Sequence, residues 1–167
     1  MTTITIRPAK PLDTSNLVRL LTAAHEEASA YPSVDPAYGL NWITRTLTEG
    51  YVIVADVSGR IVGTLALTQY NFPWSPQLYL YLEWLFVQRK FRKGGSFEAL
   101  IQASHAFADE HKMPILAGVS SADARVLLKD KLFKQHGYMY MGGDFVRSVH
   151  GQQEEEDHSN LQASGLR

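Results

Sequence analysis

The sequence has 167 residues, a length that suits one domain with a single buried core. Apolar residues make up 45% and charged residues 20%, values that argue against a disordered or fibrous chain. The 16 Lys and Arg nearly balance the 17 Asp and Glu, so whole-chain charge does not favour a nucleic acid or a membrane as partner. There is no cysteine, which excludes a disulfide framework, a thiolate zinc site and a catalytic cysteine.

We expect neither a membrane-spanning segment nor a secretory signal in this sequence. No apolar run approaches the ~20 residues of a membrane span, and the N-terminus has no basic start followed by an apolar core. Residues 151–167 contain an acidic run and only two large apolar side chains, Leu161 and Leu166. We expect a cytoplasmic protein with one domain over residues 1–150 and a disordered acidic tail over 151–167.

The hydrophobic pattern predicts strands and helices in alternation. The predicted strands are Thr3–Arg7, Tyr51–Asp56, Ile61–Tyr70, Leu78–Val87, Pro114–Val119, Tyr138–Met141 and Phe145–Val149. Four helices are predicted. The first follows the N-cap candidates Asp13-Thr14-Ser15, and the second passes through Leu40 and Ile43 and ends at Gly50. The third follows Gly95, and the fourth covers Ser121–His136 before Gly137. A Ser58-Gly59 turn joins the second and third strands. This order indicates an α/β sheet of about seven strands with helices on both faces.

A buried strand that runs through a basic, glycine-containing loop directly into a helix is a candidate anion site. The first N–H groups of a helix have no backbone partners, and the helix dipole is positive there. Gly94 and Gly95 allow the backbone to approach a ligand closely, and Arg89, Arg92 and Lys93 add positive charge. A pyrophosphate is the best-matched ligand, and a solvated basic turn is the alternative.

The segment from Val87 to Leu100 resembles motif A of the GNAT (GCN5-related N-acetyltransferase) family. Val87, Phe91, Arg92, Gly95 and Leu100 match the motif or conserve its residue types. Departures from the motif are Arg89 for Pro, Lys93 for Gly, and Phe97 for the last Gly or Ala. The side chain of Phe97 would crowd the phosphates unless it points into the core, and its helical spacing with Leu100 favours the core.

The segment from Leu132 to Tyr138 resembles a degenerate motif B, and the order of elements resembles the family fold over residues 1–150. The resemblance implies a slot for acetyl-CoA where strands 4 and 5 splay apart. It also implies cofactor contacts from the end of the fourth strand and from the loop. No group of His, Asp or Glu in the sequence has the spacing of metal ligands, so we expect no metal. The implied cofactor-binding residues are Leu85, Phe86, Val87, Arg92, Lys93, Gly94, Gly95, Ser96 and Phe97.

Glu83 is the acidic residue of the apolar strand Leu78–Val87. An unpaired carboxylate in such a strand should have a raised pKa and could act as a base near neutrality. The resemblance implies the same role, directly or through a water. Pairing with a cation, or a solvent-facing bulge, is the alternative. Strict alternation would place Trp84 on the opposite face from Glu83.

The resemblance places a thiolate-protonating tyrosine at the position of Phe133, which has no proton to donate. Tyr79, Tyr81, Tyr138, Tyr140 or water could replace it. The same departure leaves a non-catalytic CoA-binding module as the alternative to an N-acetyltransferase. A nucleic-acid binder using Arg89–Lys93 is a remote third, because the net charge of residues 1–150 is only +2.

The acceptor is expected to be a small-molecule or peptide amine, bound by a monomer or homodimer. Tyr31 and Trp74 are candidates for acceptor contacts, because loops at such positions border the acceptor in the family, and Tyr81 of the strand Leu78–Val87 is a third candidate. The run His25-Glu26-Glu27 cannot share one helix face, and a solvated helix end is its better interpretation.

Overall fold

A computed structural model describes residues 3–27, 34–118 and 125–141. The elements in chain order are β1 (Ile4–Pro8), α1 (Thr14–Glu26), α2 (Pro36–Glu49), β2 (Tyr51–Val57), β3 (Arg60–Asn71), β4 (Leu78–Val87), α3 (Ser96–His111), β5 (Ile115–Ala117) and α4 (Arg125–Gln135). Short 3₁₀ turns cover Pro11–Asp13 and Arg89–Gly94.

The strands form one mixed sheet in the order β1-β2-β3-β4-β5. Neighbours from β1 to β4 are antiparallel, and β5 joins β4 in parallel. The expectation of seven strands is wrong for the described part of the chain, which has five. Tyr138–Met141 forms no strand there, and exposed side chains at Met139 and Met141 give it no apolar face to bury. Its expected partner, Phe145–Val149, lies outside the described residues, as do Val119 and 121–124.

Local signals explain several boundaries. Pro36 occupies the first turn of α2, and the Asp35 carboxylate accepts a hydrogen bond from the Tyr38 N–H at 2.9 Å. Ser58 and Gly59 both have positive φ, 52° and 81°, the requirement of the tight hairpin turn between β2 and β3. The predicted turn is therefore confirmed.

Helices cover both faces of the sheet, as expected. One group of buried residues, the α3-face cluster, combines inward-facing side chains of β2, β3 and β4 with α3: Ile53, Ala55, Val57, Val62, Leu65, Leu67, Leu80, Leu82, Val87, Leu100, Ile101 and Ala108. The other, the α1/α2-face cluster, contains Leu17, Leu20, Ile43, Val52, Val54, Ile61 and Ala66. The alternation of β2 between the two clusters follows from the period of two in a strand.

A charged network ties the start of the chain to the sheet. Asp13 was a candidate N-cap for α1, but its side chain makes no cap hydrogen bond to that helix. Instead its carboxylate accepts hydrogen bonds from Arg7 Nη1 and from the Lys10 N–H, both at 2.7 Å. Arg7 also pairs with Asp56 of β2 at 3.2 Å. The network fixes the turn that precedes α1 against β1 and β2.

Candidate functional site

A β-bulge in β4 decides where Glu83 points. Ala66 of β3 pairs with Trp84, whereas Leu67 pairs with Leu82, so Glu83 is the extra residue on β4. Trp84 packs on Trp42 of α2, with ring centroids 4.6 Å apart, on the α1/α2 face. Because the bulge interrupts the alternation, Glu83 lies on this same face, and the expectation of opposite faces is wrong.

The half-buried Glu83 carboxylate is not unpaired. Its Oε1 accepts a hydrogen bond from the Thr68 hydroxyl at 2.6 Å, so the carboxylate has a neutral hydroxyl partner, and it lies at a bulge, as one alternative from the sequence had it. The hydroxyl fixes the carboxylate at one side of a cavity of about 280 Å³ between α2 and the outer ends of β3 and β4. This cavity, the Glu83 pocket, is lined by Arg45, Thr46, Glu49, Thr68, Gln69, Tyr70, Tyr81 and Glu83.

The lining charges of the Glu83 pocket are two carboxylates and one guanidinium. Arg45 and Glu49 pair at 3.6 Å on α2, and both side chains are about two-thirds exposed. Such an exposed pair contributes little and leaves the pocket with a net negative charge. The sequence analysis missed the α2 residues. Their spacing of four positions was a signal for a shared helix face, but not for which strands that face meets.

The N-terminus of α3 is built as a candidate anion site. Gly95 precedes the helix in the left-handed conformation, with φ of 83°, and no side chain in the described ranges caps the helix there. No atom lies within 4 Å of the Cβ position at either Gly94 or Gly95, so the approach to the backbone is open. Ser96 is fully buried and its hydroxyl has no hydrogen-bond partner in the described part of the protein. The first N–H groups of α3 have no intrahelical partner, and the turn that precedes them is open at Gly94 and Gly95.

Phe97 does not lie over this opening. Its half-buried side chain packs against the α3-face cluster, and its ring centroid is 5.6 Å from that of His136, beyond α4. The helical spacing predicted this direction. Lys93 lies in the exposed turn before the helix.

Arg92 has partners within the protein. Its Nη2 forms an ion pair with Glu27 at the end of α1, and its Nε donates to the Val87 carbonyl at 2.8 Å. The guanidinium also lies over the Phe86 ring, 5.6 Å from the centroid. Sequence reasoning treated Glu27 as part of a solvated helix end and missed this pair. No spacing signal connects residues 65 positions apart.

The two strands that were expected to splay pair over a short distance. β4 and β5 are in register at Leu80–Ile115, Tyr81–Leu116 and Leu82–Ala117. After Leu82, β4 continues to Val87 with β3 on one side and no partner in β5 among the described residues. Leu85 and Phe86 lie in this stretch, which leads through the 3₁₀ turn to α3.

The other candidate residues fall in different places. Tyr81 lines the Glu83 pocket, and its hydroxyl lies 3.2 Å from the Cβ position of Gly118, the residue after β5. Trp74 is 80% exposed at the β3–β4 connection. Tyr31 lies outside the described residues. Phe133 packs against the α3-face cluster and edge-on to Tyr138, with ring centroids 4.9 Å apart.

The described residues contain neither a helix suited to a bilayer nor a cluster of metal-ligating side chains. No described helix is long and apolar enough to cross a bilayer. No group of three or more His, Asp or Glu side chains within the described ranges could hold a metal ion.

Solved structures share this architecture. A predicted acetyltransferase from Clostridium acetobutylicum, solved with acetyl-CoA, has a TM-score of 0.72 at 17% identity over 87% of this chain and 96% of its own. A ribosomal-protein-alanine N-acetyltransferase from Brucella melitensis has a TM-score of 0.68 at 18% identity, covering 88% and 99%. An aminoglycoside acetyltransferase from an uncultured soil metagenomic sample, in complex with sisomicin, has 0.65 at 20%, covering 87% and 96%. The fold is thus the α/β fold of GNAT proteins, with a mixed five-stranded sheet.

The sequence itself identifies the family. Residues 15–138 match the model of the acetyltransferase (GNAT) family, and the chain belongs to that family. No curated protein matches the sequence.

Proposed function

We propose that this protein is an acetyl-CoA-dependent N-acetyltransferase that moves the acetyl group directly to an amine, with Glu83 as base or water-positioning group. One observation carries the proposal. Among the described residues, β4 has no β5 partner after Leu82, and the bulge at the next residue directs the Glu83 side chain toward a polar pocket. A carboxylate therefore lies where an open strand edge begins, and that edge leads to the uncapped end of α3.

The residues of this chain fit the cofactor. The pyrophosphate would lie on the first-turn N–H groups of α3 over Gly94 and Gly95, with Ser96 and the backbone of Phe97 beside it. Lys93, and Arg92 from its place beside Glu27, add positive charge. Backbone groups of Leu85, Phe86 and Val87 would pair with the pantetheine arm, although Arg92 already occupies the Val87 carbonyl.

Two protons leave the ammonium nitrogen, one before it attacks the thioester and one as the amide forms, and the second of these replaces the proton that the departing sulfur takes from its donor. Acetyl-CoA supplies a thioester whose carbonyl carbon forms a bond to the amine nitrogen as its bond to sulfur breaks. Glu83 takes the proton that the ammonium must lose, directly or through a water, and the Thr68 hydroxyl holds the carboxylate in place. The bulge in β4 places Glu83 on the same face of the sheet as Thr68 of β3.

The departing thiolate requires a proton, which Phe133 cannot give. Of the four tyrosines considered, Tyr79 donates to Gln77 at 3.4 Å, and the buried Tyr138 hydroxyl lies on the α3 side of the sheet near Ser104. Tyr140 is exposed beneath Lys134. Tyr81 shares the pocket with Glu83 and reaches the end of β5, so we assign it as the proton donor.

A thermal melt with acetyl-CoA, followed by an assay of thiol release, tests the function. A ligand at 100 times its Kd adds about 2.7 kcal/mol, a rise in Tm of roughly 5–10 °C. Adenosine monophosphate is the control for weak phosphate binding. A shift together with amine-dependent thiol release supports the proposal. A shift without release from any amine favours the non-catalytic CoA-binding module, and no shift contradicts both.

A further inference from the structure

Five aromatic rings form a continuous surface at the β3–β4 end of the sheet. This ring cluster consists of Tyr70, Phe72, Trp74, Tyr79 and Tyr81. Ring centroids are 6.1 Å apart for Tyr81 and Tyr70, 5.2 Å for Tyr70 and Phe72, and 5.1 Å for the stacked Phe72 and Trp74. Tyr79 meets Phe72 edge-on at 5.4 Å. The cluster ends on Trp74, which is 80% exposed.

The ring cluster carries no charge of its own. No Asp, Glu, Lys or Arg occurs between Thr68 and Glu83, that is, over residues 69–82. A surface of this composition gains free energy by covering an uncharged aromatic or apolar group. A carboxylate would lose hydration on it without an opposite charge, and a second ammonium would gain only the weak attraction of exposed ring faces.

The ring cluster and the Glu83 pocket are one surface. Tyr70 and Tyr81 belong to both, since each also lines the pocket. Tyr81 and Glu83 both line the pocket and stand two positions apart on β4. This adjacency of an aromatic ring and a carboxylate suits an amine connected to an aromatic ring by a short alkyl linker.

The charge of the Glu83 pocket favours a ligand with a single positive charge. Among the described residues that line the pocket, Glu83 and Glu49 are opposed by Arg45, so this described lining carries one net negative charge. The exposed Arg45–Glu49 pair already occupies the guanidinium, so a ligand carboxylate would compete with Glu49 and approach Glu83.

We propose that the acceptor is a monocationic arylalkylamine, whose amine lies at Glu83 and whose ring packs on the ring cluster. This inference rests on the proposed N-acetyltransferase function and names its substrate class. Amino acids are disfavoured by their carboxylate, and polyamines by the uncharged surface that their second cation would meet.

Thiol release by the full chain with four amines tests the substrate class. Phenethylamine carries ring and amine, butylamine lacks the ring, phenylalanine adds a carboxylate, and putrescine adds a second cation. We expect kcat/KM for phenethylamine to exceed that for the other three by about tenfold or more. Equal or better acetylation of butylamine, phenylalanine or putrescine overturns the inference and leaves transfer to amines standing. No release with any of the four overturns the inference and counts against the proposed function.

Two variants locate the ring. Trp74→Ala and Tyr70→Ala should each lower the phenethylamine-to-butylamine ratio of kcat/KM by about five- to tenfold. Tyr38→Ala, which removes a 74%-exposed aromatic ring from α2 outside the pocket lining, should leave the ratio unchanged. An unchanged ratio in both ring-cluster variants overturns the inference.

Fluorescence gives a readout that does not depend on turnover. Phenethylamine should quench tryptophan emission in the wild type, and the quenching should be lost in Trp74→Phe. Equal quenching in the Trp74→Phe variant would place the amine elsewhere and overturn the inference.

Discussion

The guanidinium of Arg92 is paired with the carboxylate of Glu27 and joins the end of α1 to the turn before α3. The pair links the helix beside the expected acceptor side to the turn that leads to the expected cofactor site. Arg92 is thus both a candidate phosphate ligand and a residue with an intramolecular partner.

Arg92→Ala should weaken acetyl-CoA binding by about 10- to 150-fold, because charge-assisted hydrogen bonds to phosphate contribute about 1.5–3 kcal/mol. Isothermal titration measures the affinity. Glu27→Gln is the matched variant, since it removes the competing carboxylate and leaves Arg92 in place. We expect its affinity to equal or exceed that of the wild type. If Glu27→Gln weakens binding as much as Arg92→Ala does, the pair has a structural role and Arg92 is not a phosphate ligand.

Glu83→Gln should lower kcat by about 10²–10⁴-fold, the range for loss of a general acid or base. It keeps the shape and a hydrogen-bond acceptor for Thr68, so acetyl-CoA affinity should not change. The pH–rate profile should lose the limb that belongs to the carboxylate. A variant with the wild-type profile would contradict the assignment. Thr68→Val, which removes the positioning hydroxyl, should show a smaller loss of kcat than Glu83→Gln.

Gly95→Ala should destabilise the protein by about 1–2 kcal/mol, because φ of 83° is the left-handed region that a Cβ disfavours. The corresponding fall in Tm is roughly 3–8 °C. Gly94→Ala is the control: its Cβ position is equally open, and its φ is not positive. Equal Tm values for the two variants would show that backbone conformation at Gly95 is not under strain on substitution.

Asp13 should make stability depend on pH. The hydrogen bond from Arg7, opposed by desolvation and aided by the Lys10 N–H, lowers the pKa of Asp13. A folded-state pKa below the unfolded value means that the contribution is present above about pH 4 and is lost as pH falls through the folded-state pKa. Asp13→Asn should therefore cost about 1–3 kcal/mol at neutral pH and progressively less in acid.

Denaturant unfolding across pH measures this difference. Asp109→Asn, on the exposed part of α3, is the matched control and should leave the pH dependence as in the wild type. A constant difference between wild type and Asp13→Asn down to pH 2 would contradict the assigned role.

The parts of the fold that depend on local pattern were predictable. The apolar run of β4, the helical spacing of α3 and the Ser58-Gly59 turn each follow from a few neighbouring residues. The packing of helices on both faces of the sheet was predictable from the order of the elements. The count of seven strands failed at Tyr138–Met141, which forms no strand and exposes the large side chains of Met139, Tyr140 and Met141 after α4.

The site was predictable in its residues but not in its arrangement. Glu83 stands out as an acid in an apolar strand, whereas its direction depends on a register shift against Ala66 and Leu67, which no local pattern encodes. Likewise, Arg45 and Glu49 enter the pocket only because α2 packs over β3 and β4. Residue type is local information, and juxtaposition is set by tertiary packing.

The two hydrophobic clusters share no buried residue, because the sheet separates them completely. Substitutions on opposite sides of such a partition have few common neighbours, and their effects on stability should add. The half of the protein under α1 and α2 can therefore be remodelled, residue by residue, while the half under α3 keeps its shape. A contact that crosses the partition, such as the pair between Glu27 and Arg92, should instead couple substitutions on the two sides.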